Sequence, residues 1–118
     1  VDVDPFNTNC KVFPPFRSQR DVDGLTEGLL DGTIDSICSD HTPVDIEEKN
    51  LPFPEATAGV IGTELLLPLT LSWAKKNSID VKIAMDMIST KPANLIGIKG
   101  GNLSEGTLAN LLLTFELR

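Results

Sequence analysis

The chain has 118 residues, and its 10 lysine and arginine side chains against 17 aspartates and glutamates give a formal charge of −7 at pH 7. Proteins that bind nucleic acid through its phosphates present a basic face, so this acidic balance argues against a nucleic-acid partner. The most apolar stretch, 65–73, contains Pro68 and is far shorter than the about 20 residues that span a bilayer. We therefore expect a single cytoplasmic domain with no membrane partner and no signal peptide.

Cysteine and histidine are scarce. Cys10 and Cys38 form no Cys-x-x-Cys pair, and two free, partly buried thiols in a reducing cytoplasm are favoured over a disulfide. His41 is the only histidine. Because a zinc hydrolase needs several His or Cys ligands, we expect this chain alone to bind no zinc.

The first predicted elements, in chain order, are an extended segment, a helix and a strand. Residues 2–17 contain three prolines without a sustained apolar period and are interpreted as extended. Ser18 is a candidate N-cap of a helix that ends at Gly32, with an apolar face formed by Val22, Leu25, Leu29 and Leu30. Residues 33–39 are rich in β-branched side chains and predict a strand. A helix followed by a strand is typical of an α/β fold.

A long loop follows. Residues 42–62 hold three prolines and two glycines, so no regular element is expected to run through them, and a loop of this length is usually functional or disordered. The charged run 45–49 is interpreted as solvated. Gly59 and Gly62 precede a predicted helix and could present backbone N–H groups to a carboxylate or phosphate, although a turn that needs positive φ is the more frequent explanation.

Three helices and a strand are predicted beyond this loop. The first helix has Pro68 in its first turn and ends at Asn77. The second begins at Asp80 and ends before Pro92, which opens a third, short helix, and residues 108–115 are apolar enough for a strand. The residues expected to pack inward are Trp73 and the leucines around it, Ile83, Ala84, Met87 and Ile88.

The most informative local pattern is Asp40-His41 at the end of the predicted strand. In (β/α)8 barrels the active site is built at the carboxyl ends of the strands. A carboxylate there can bind a metal or act as a general base while the following loop covers the substrate. Spacing alone favours another interpretation, in which Asp40 caps the turn after the strand and His41 is a satisfied surface group.

A set of short motifs in a fixed order carries a family resemblance. They are Lys-Val-Phe-Pro-Pro-Phe-Arg (11–17), Asp-Gly-Thr-Ile-Asp (31–35), Ser-Asp-His-Thr-Pro (39–43), Pro-Phe (52–53), Ala-Gly-x-x-Gly (58–62), Leu-Leu-Pro-Leu (66–69), Lys-Pro-Ala-Asn (91–94) and Gly-x-Leu-x-x-Gly-x-x-Ala-Asn (101–110). Together they resemble the C-terminal third of dihydroorotase, a member of the amidohydrolase superfamily. Hydantoinases and allantoinases share parts of the pattern, but the loop length between Asp40 and Gly59 is more similar to dihydroorotase.

The resemblance implies an α/β fold that is a C-terminal fragment of a TIM-type (β/α)8 barrel. Residues 1–99 would be the last barrel units, and residues 100–118 would begin a small flanking β segment. A complete barrel needs about 250 residues, so we expect the family's upstream His-x-His metal ligands to lie outside this chain.

The resemblance also implies a zinc-dependent hydrolase of cyclic amides, which interconverts dihydroorotate and N-carbamoyl-aspartate in pyrimidine biosynthesis. Asp40 matches the family's metal ligand and general base, and Ala58 and Gly59 match its substrate-contacting pair. Phe13 and Val44 depart from the family, which has an asparagine and a histidine at these substrate positions. Each hydrogen bond to a charged group that an apolar side chain fails to make costs about 1.5–3 kcal/mol.

These two departures make the chain similar to the non-catalytic dihydroorotase-like chains that accompany some aspartate carbamoyltransferases. Three functions stay open: part of an active dihydroorotase, a non-catalytic subunit that scaffolds aspartate carbamoyltransferase, and a plain α/β interaction domain. We expect the isolated chain to be inactive. We also expect it to self-associate, because a partial barrel exposes strand edges.

Overall fold

The structure is a computed structural model that describes residues 4 and 6–113. Within them the chain forms α-helices, one short 3-10 helix and no β-strand. The elements are the 3-10 helix Thr8–Cys10, α1 Gln19–Asp31, α2 Ile46–Lys49, α3 Thr63–Lys76, α4 Val81–Ile88 and α5 Thr90–Leu95. The one-turn helix α2 interrupts the long loop, which was predicted to hold no regular element.

The prediction of helix α1 from its N-cap and its terminal glycine is confirmed. The Ser18 side chain accepts the Asp21 N–H, and the Asp21 carboxylate accepts the Ser18 N–H at 3.0 Å, which is a capping box. Gly32 ends the helix with φ +85°, a conformation in which a side chain is disfavoured.

Helix α3 begins earlier than predicted. It starts at Thr63, so Pro68 lies inside the helix rather than in its first turn. Proline has no N–H, so the usual bond to the carbonyl four residues earlier is missing there. The N-terminus is capped instead by a side chain from a distant part of the chain, described below. The predicted end is confirmed, since Asn77 is the C-cap.

The packed core is small and lies where α4 meets α3 and α5. Its buried helical residues are Thr70, Ala74, Ala84 and Met87. The prediction that these side chains pack inward is confirmed for Ala84 and Met87, whereas Ile83 is exposed. The predicted core face of α3 is wrong in part: Trp73 is half-buried and Leu69 is 61% exposed, because this face borders an open groove.

Residues predicted as strands are not strands in the described part of the chain. Residues 35–44 have no regular secondary structure and make isolated hydrogen bonds, from the Ile37 N–H to the Met87 carbonyl at 3.0 Å and from the Thr42 N–H to the Val60 carbonyl at 3.1 Å. A strand needs a neighbouring strand to form a ladder, and the described residues supply none. Residues 108–113 have no regular structure, and the rest of the predicted β segment, 114–118, lies outside the described residues.

The chain leaves much apolar surface uncovered. Its accessible surface is 9587 Å², whereas a compact monomer of this size exposes about 6,300 Å². An apolar groove of about 370 Å³ separates α1 from α3, and the Trp73 Nε1–H bridges it by donating to Thr26 Oγ1 at 3.1 Å. None of the described helices is both long and apolar enough to cross a membrane.

Candidate functional site

The segment that carries Asp40 packs against the segment that carries Gly59. Gly59 has φ +153°, and a Cβ atom there would collide with the Thr42 carbonyl oxygen. A Cβ on Gly62 would collide with the Ser39 carbonyl oxygen. Glycine at both positions therefore permits two backbone segments to lie in direct contact. The structure thus brings the sequence-predicted residue Asp40 close to the predicted pair Ala58 and Gly59.

Asp40 presents an exposed carboxylate from an uncommon backbone conformation. Its φ is +44°, which few residues other than glycine adopt. Its own carbonyl oxygen accepts the Thr42 hydroxyl at 3.3 Å, but its carboxylate makes no hydrogen bond within the described residues. The interpretation of Asp40 as a turn cap therefore does not hold for its side chain, which is open to an external ligand or proton.

His41 caps α3. Its Nδ1 accepts the N–H groups of Gly62 at 3.0 Å and Thr63 at 3.3 Å. A ring nitrogen accepts a hydrogen bond through its lone pair, so in this arrangement Nδ1 serves both amides and Nε2 is left as the ring donor. His41 is a satisfied group, as the sequence interpretation held, and it supplies the acceptor for the first amides of α3.

The backbone amides of the two glycines are occupied. Gly62 donates to His41, and the Gly59 N–H donates to the Lys11 carbonyl at 3.0 Å. The hypothesis that they cradle an anion is therefore wrong. The alternative interpretation is confirmed in one respect, since Gly59 has positive φ, but no turn forms there, because residues 57–62 have no regular structure.

Of the two residues that depart from the family pattern, Val44 contacts this site and Phe13 lies two positions after a residue that does. Val44 is half-buried and its Cγ2 faces Gly59, 2.6 Å from where a Cβ would stand. Phe13 is 81% exposed and follows Lys11, whose carbonyl holds the Gly59 amide. The Val44 side chain therefore adds an apolar surface beside the predicted substrate segment.

The described residues do not by themselves fit a zinc ion. No three His, Cys, Asp or Glu side chains among them lie close enough to hold a metal together. A zinc site needs three or four protein ligands, and here Asp40 offers one while His41 Nδ1 is already engaged. Cys10 and Cys38 are free thiols as predicted, but only Cys10 is partly buried.

Two lysines that the sequence interpretation missed join the N-terminal segment to the long loop. Lys49 is 7% exposed rather than solvated, and its Nζ donates to the carbonyls of Thr8 at 3.1 Å and Lys11 at 3.0 Å. Lys11 Nζ donates to the Phe53 carbonyl at 2.8 Å and lies 5.2 Å from the centre of the Phe53 ring. The carbonyl partners of Lys49 lie 41 and 38 residues earlier, so no local pattern distinguishes it from an exposed lysine.

The class of fold is that of the amidohydrolases. A solved D-hydantoinase (dihydropyrimidinase) from Thermus sp. superposes on this chain with a TM-score of 0.75 and 27% sequence identity, over 86% of this chain and 24% of that one. Such hydantoinases are TIM-barrel amidohydrolases. The described helices and extended segments therefore have the arrangement of part of such a barrel.

The curated relatives are more specific. The chain is 42% identical over 113 residues to a dihydroorotase of Ruminiclostridium cellulolyticum, covering 95% of this chain and 26% of that protein. It is 39% identical over 106 residues to a dihydroorotase of Geobacter metallireducens, covering 90% of this chain and 25% of that protein. No family profile matches the chain. The chain is thus similar in sequence to part of the dihydroorotases, and it spans about a quarter of the length of the curated relatives it matches.

Proposed function

We propose that the chain forms part of a dihydroorotase site, which hydrolyses the cyclic amide of dihydroorotate to N-carbamoyl-aspartate in pyrimidine biosynthesis. The observation that carries this proposal is the close approach of Gly59 and Gly62 to the backbone on either side of Asp40, in a chain about 40% identical to dihydroorotases. It brings the segment that carries the exposed Asp40 carboxylate against the segment that the resemblance assigns to substrate contact. The contribution is partial, and we expect the isolated chain to be inactive.

The chemistry assigned to Asp40 follows from its exposure. In this hydrolysis water adds to the ring carbonyl carbon, the ring C–N bond breaks, and the departing nitrogen takes up a proton. A carboxylate without a partner in the described residues can take the proton from water and return it to nitrogen, which is general acid–base catalysis. Since the Gly59 N–H is bound to Lys11, the substrate contacts would be the Ala58 N–H and the Gly59 carbonyl.

Zinc is the metal that this proposal implies, with Asp40 as one of its ligands. Because the described residues form no cluster of three ligand groups, the other ligands would lie outside them. We expect this chain to bind no zinc on its own.

The alternative function is a non-catalytic, dihydroorotase-like subunit that scaffolds aspartate carbamoyltransferase. The apolar Val44 beside Gly59 and the exposed Phe13 favour it, since neither side chain can hydrogen-bond a substrate. Two missing bonds to a charged substrate would weaken binding by about 3–6 kcal/mol if they add. That corresponds to about two to four decades in Kd.

Under either function, we expect a partner protein to cover the groove between α1 and α3. We propose self-association or binding to aspartate carbamoyltransferase in the cytoplasm, where the thiols of Cys10 and Cys38 would stay reduced. The support is the large uncovered surface, 9587 Å² in a chain of 118 residues. The excess over a compact monomer of this size is about 3,300 Å², whereas a stable protein–protein interface needs about 800 Å² from each partner.

The test is dihydroorotate hydrolysis by the protein as its source produces it, with zinc added. Hydrolysis that Asp40→Asn abolishes and that Asp35→Asn leaves intact would support the enzyme, since Asp35 is an exposed carboxylate on the same extended segment. No hydrolysis, with aspartate carbamoyltransferase activity in the purified complex, would support the scaffold. A gain in dihydroorotate binding by the Phe13→Asn, Val44→His protein would show that only substrate contacts were lost.

A further inference from the structure

Among the residues that the structure describes, Lys49 is the one charged residue that is buried. Such surroundings are unusual for a lysine. Lysine is almost never buried without partners, because an unpaired ammonium loses its hydration. Here the partners are two backbone carbonyls, those of Thr8 and Lys11, at 3.1 and 3.0 Å. The buried charge therefore fixes the backbone of the N-terminal segment against α2.

The Lys11 carbonyl has a second donor. It accepts the Gly59 N–H at 3.0 Å and the Lys49 ammonium at 3.0 Å, and a carbonyl oxygen has two lone pairs with which to do so. Lys49 and Gly59 thus donate to the same oxygen atom. A movement of that oxygen would change the hydrogen bond of Gly59 directly.

Gly59 has little room to adjust on its other side. The Thr42 carbonyl oxygen and Val44 Cγ2 occupy the space where a Cβ of residue 59 would stand, and the Thr42 N–H donates to the Val60 carbonyl at 3.1 Å. The segment before Gly59 is also attached to α2, since the Thr57 N–H donates to the Glu48 carbonyl at 3.3 Å. Gly59 is therefore held between the Lys11 carbonyl and the backbone that follows Asp40.

We propose that Lys49 is a positioning residue for the segment Ala58–Gly59: its buried ammonium holds the Lys11 carbonyl, which in turn holds the Gly59 amide beside the Asp40–Thr42 backbone. The part of this inference that concerns substrate rests on the proposed function. Lys49 itself does not touch the substrate segment with its ammonium. It acts through the shared oxygen.

The experiment compares two lysine-to-methionine variants of the full chain. Lys49→Met keeps the aliphatic stem and removes the donors to the Lys11 carbonyl. Lys11→Met is the matched control, since it removes donors to the loop carbonyls of Phe53 and Pro54 and leaves the shared oxygen in place. The readouts are amide hydrogen exchange of Gly59 by NMR, relative to Ile79 just after α3, and the Kd for dihydroorotate of the whole protein that its source produces, measured with zinc and with the same substitutions.

The proposal expects Gly59 exchange in Lys49→Met to accelerate by about tenfold or more relative to Ile79, as for the loss of a charge-assisted bond. The Lys11→Met variant should change it by less than about threefold. Equal acceleration at Gly59 and Ile79, or equal effects of both variants, would show general destabilisation and overturn the positioning role. If Lys49→Met loses its helical circular dichroism, Lys49→Gln takes its place under the same criteria.

The dihydroorotate readout separates the two proposals. Weaker binding in Lys49→Met than in Lys11→Met supports the role in substrate positioning, and equal binding in both overturns it. If the unmodified protein binds no dihydroorotate while Gly59 exchange still responds selectively to Lys49→Met, the proposed function fails and Lys49 still positions Gly59. Unchanged Gly59 exchange overturns the Lys49 inference whatever the binding result.

Discussion

The imidazole of His41 and the backbone of Gly62 are joined by a hydrogen bond that crosses 21 positions of the sequence, with Nδ1 3.0 Å from the amide nitrogen. The bond sets where α3 begins and attaches that helix to the residue that follows Asp40. It also gives a partner to an amide that has no acceptor within the helix. One side chain thus stabilises the helix and shapes the candidate site.

Replacing this cap should cost measurable stability. We expect His41→Ala to lower the free energy of unfolding by about 1 kcal/mol, because two amides at the start of α3 lose their acceptor. Urea denaturation followed by circular dichroism measures it. Ser72→Ala, an exposed change in the middle of the same helix, should stay within about 0.5 kcal/mol. A similar loss in both variants would show that His41 does not act as a cap.

Two glycines should respond to alanine with opposite signs. Gly59→Ala places a Cβ against the Thr42 carbonyl at positive φ and should destabilise the chain by about 1–3 kcal/mol. Gly24→Ala adds a Cβ with no atom within 4 Å, inside α1, and should stabilise it by about 0.5–1 kcal/mol. Equilibrium unfolding of both variants at 25 °C provides the comparison. Effects of the same sign would contradict the contact between Gly59 and Thr42.

The elements that the sequence predicted well depend on near neighbours. The start and end of α1 rest on Ser18, Asp21 and Gly32, all within or beside the helix. The start of α3 was mispredicted because its cap, His41, comes from another part of the chain. The predicted strands likewise need neighbours to pair with, and the described residues contain none.

In the candidate site too, local motifs could be predicted, whereas contacts between distant residues could not. The family resemblance named Asp40, Ala58 and Gly59, and the structure places their segments together. The resemblance could not show that the Gly59 amide is already bound to the Lys11 carbonyl, since that bond joins residues far apart in sequence. Lys49 was interpreted as solvated because the sequence of a charged run does not tell whether a lysine donates to water or to backbone carbonyls from a distant part of the chain.

Acid should weaken α1 through Asp21. The side-chain hydrogen bond from Ser18, and then its backbone N–H, hold the pKa of Asp21 below its ordinary value of 3.8. A carboxyl whose pKa is lower in the folded state stabilises that state above its unfolded pKa and loses the contribution as pH falls through the folded pKa. We therefore expect stability from this capping box to decline from about pH 4 downward.

The measurement is the thermal midpoint of the helical circular dichroism at about pH 5 and about pH 3, in the unmodified chain and in Asp21→Asn. The drop between the two pH values should be smaller in Asp21→Asn, which has no carboxylate to protonate. Glu27→Gln, on the same helix but away from its N-terminus, should keep the full drop. An unchanged drop in Asp21→Asn would show that the Ser18–Asp21 pair carries none of the acid sensitivity.

The groove between α1 and α3 should govern self-association. Leu69 lines it and is 61% exposed, whereas Leu95 on α5 is 60% exposed and lies outside its lining. Burying Leu69 against a second chain is favourable, and a buried aspartate at its position would be left without hydration or a partner. We expect light scattering to give a dimer or larger species for the unmodified chain and for Leu95→Asp, and a monomer for Leu69→Asp. A monomeric unmodified chain, or an equal effect of the two substitutions, would show that this groove is not where copies of the chain meet.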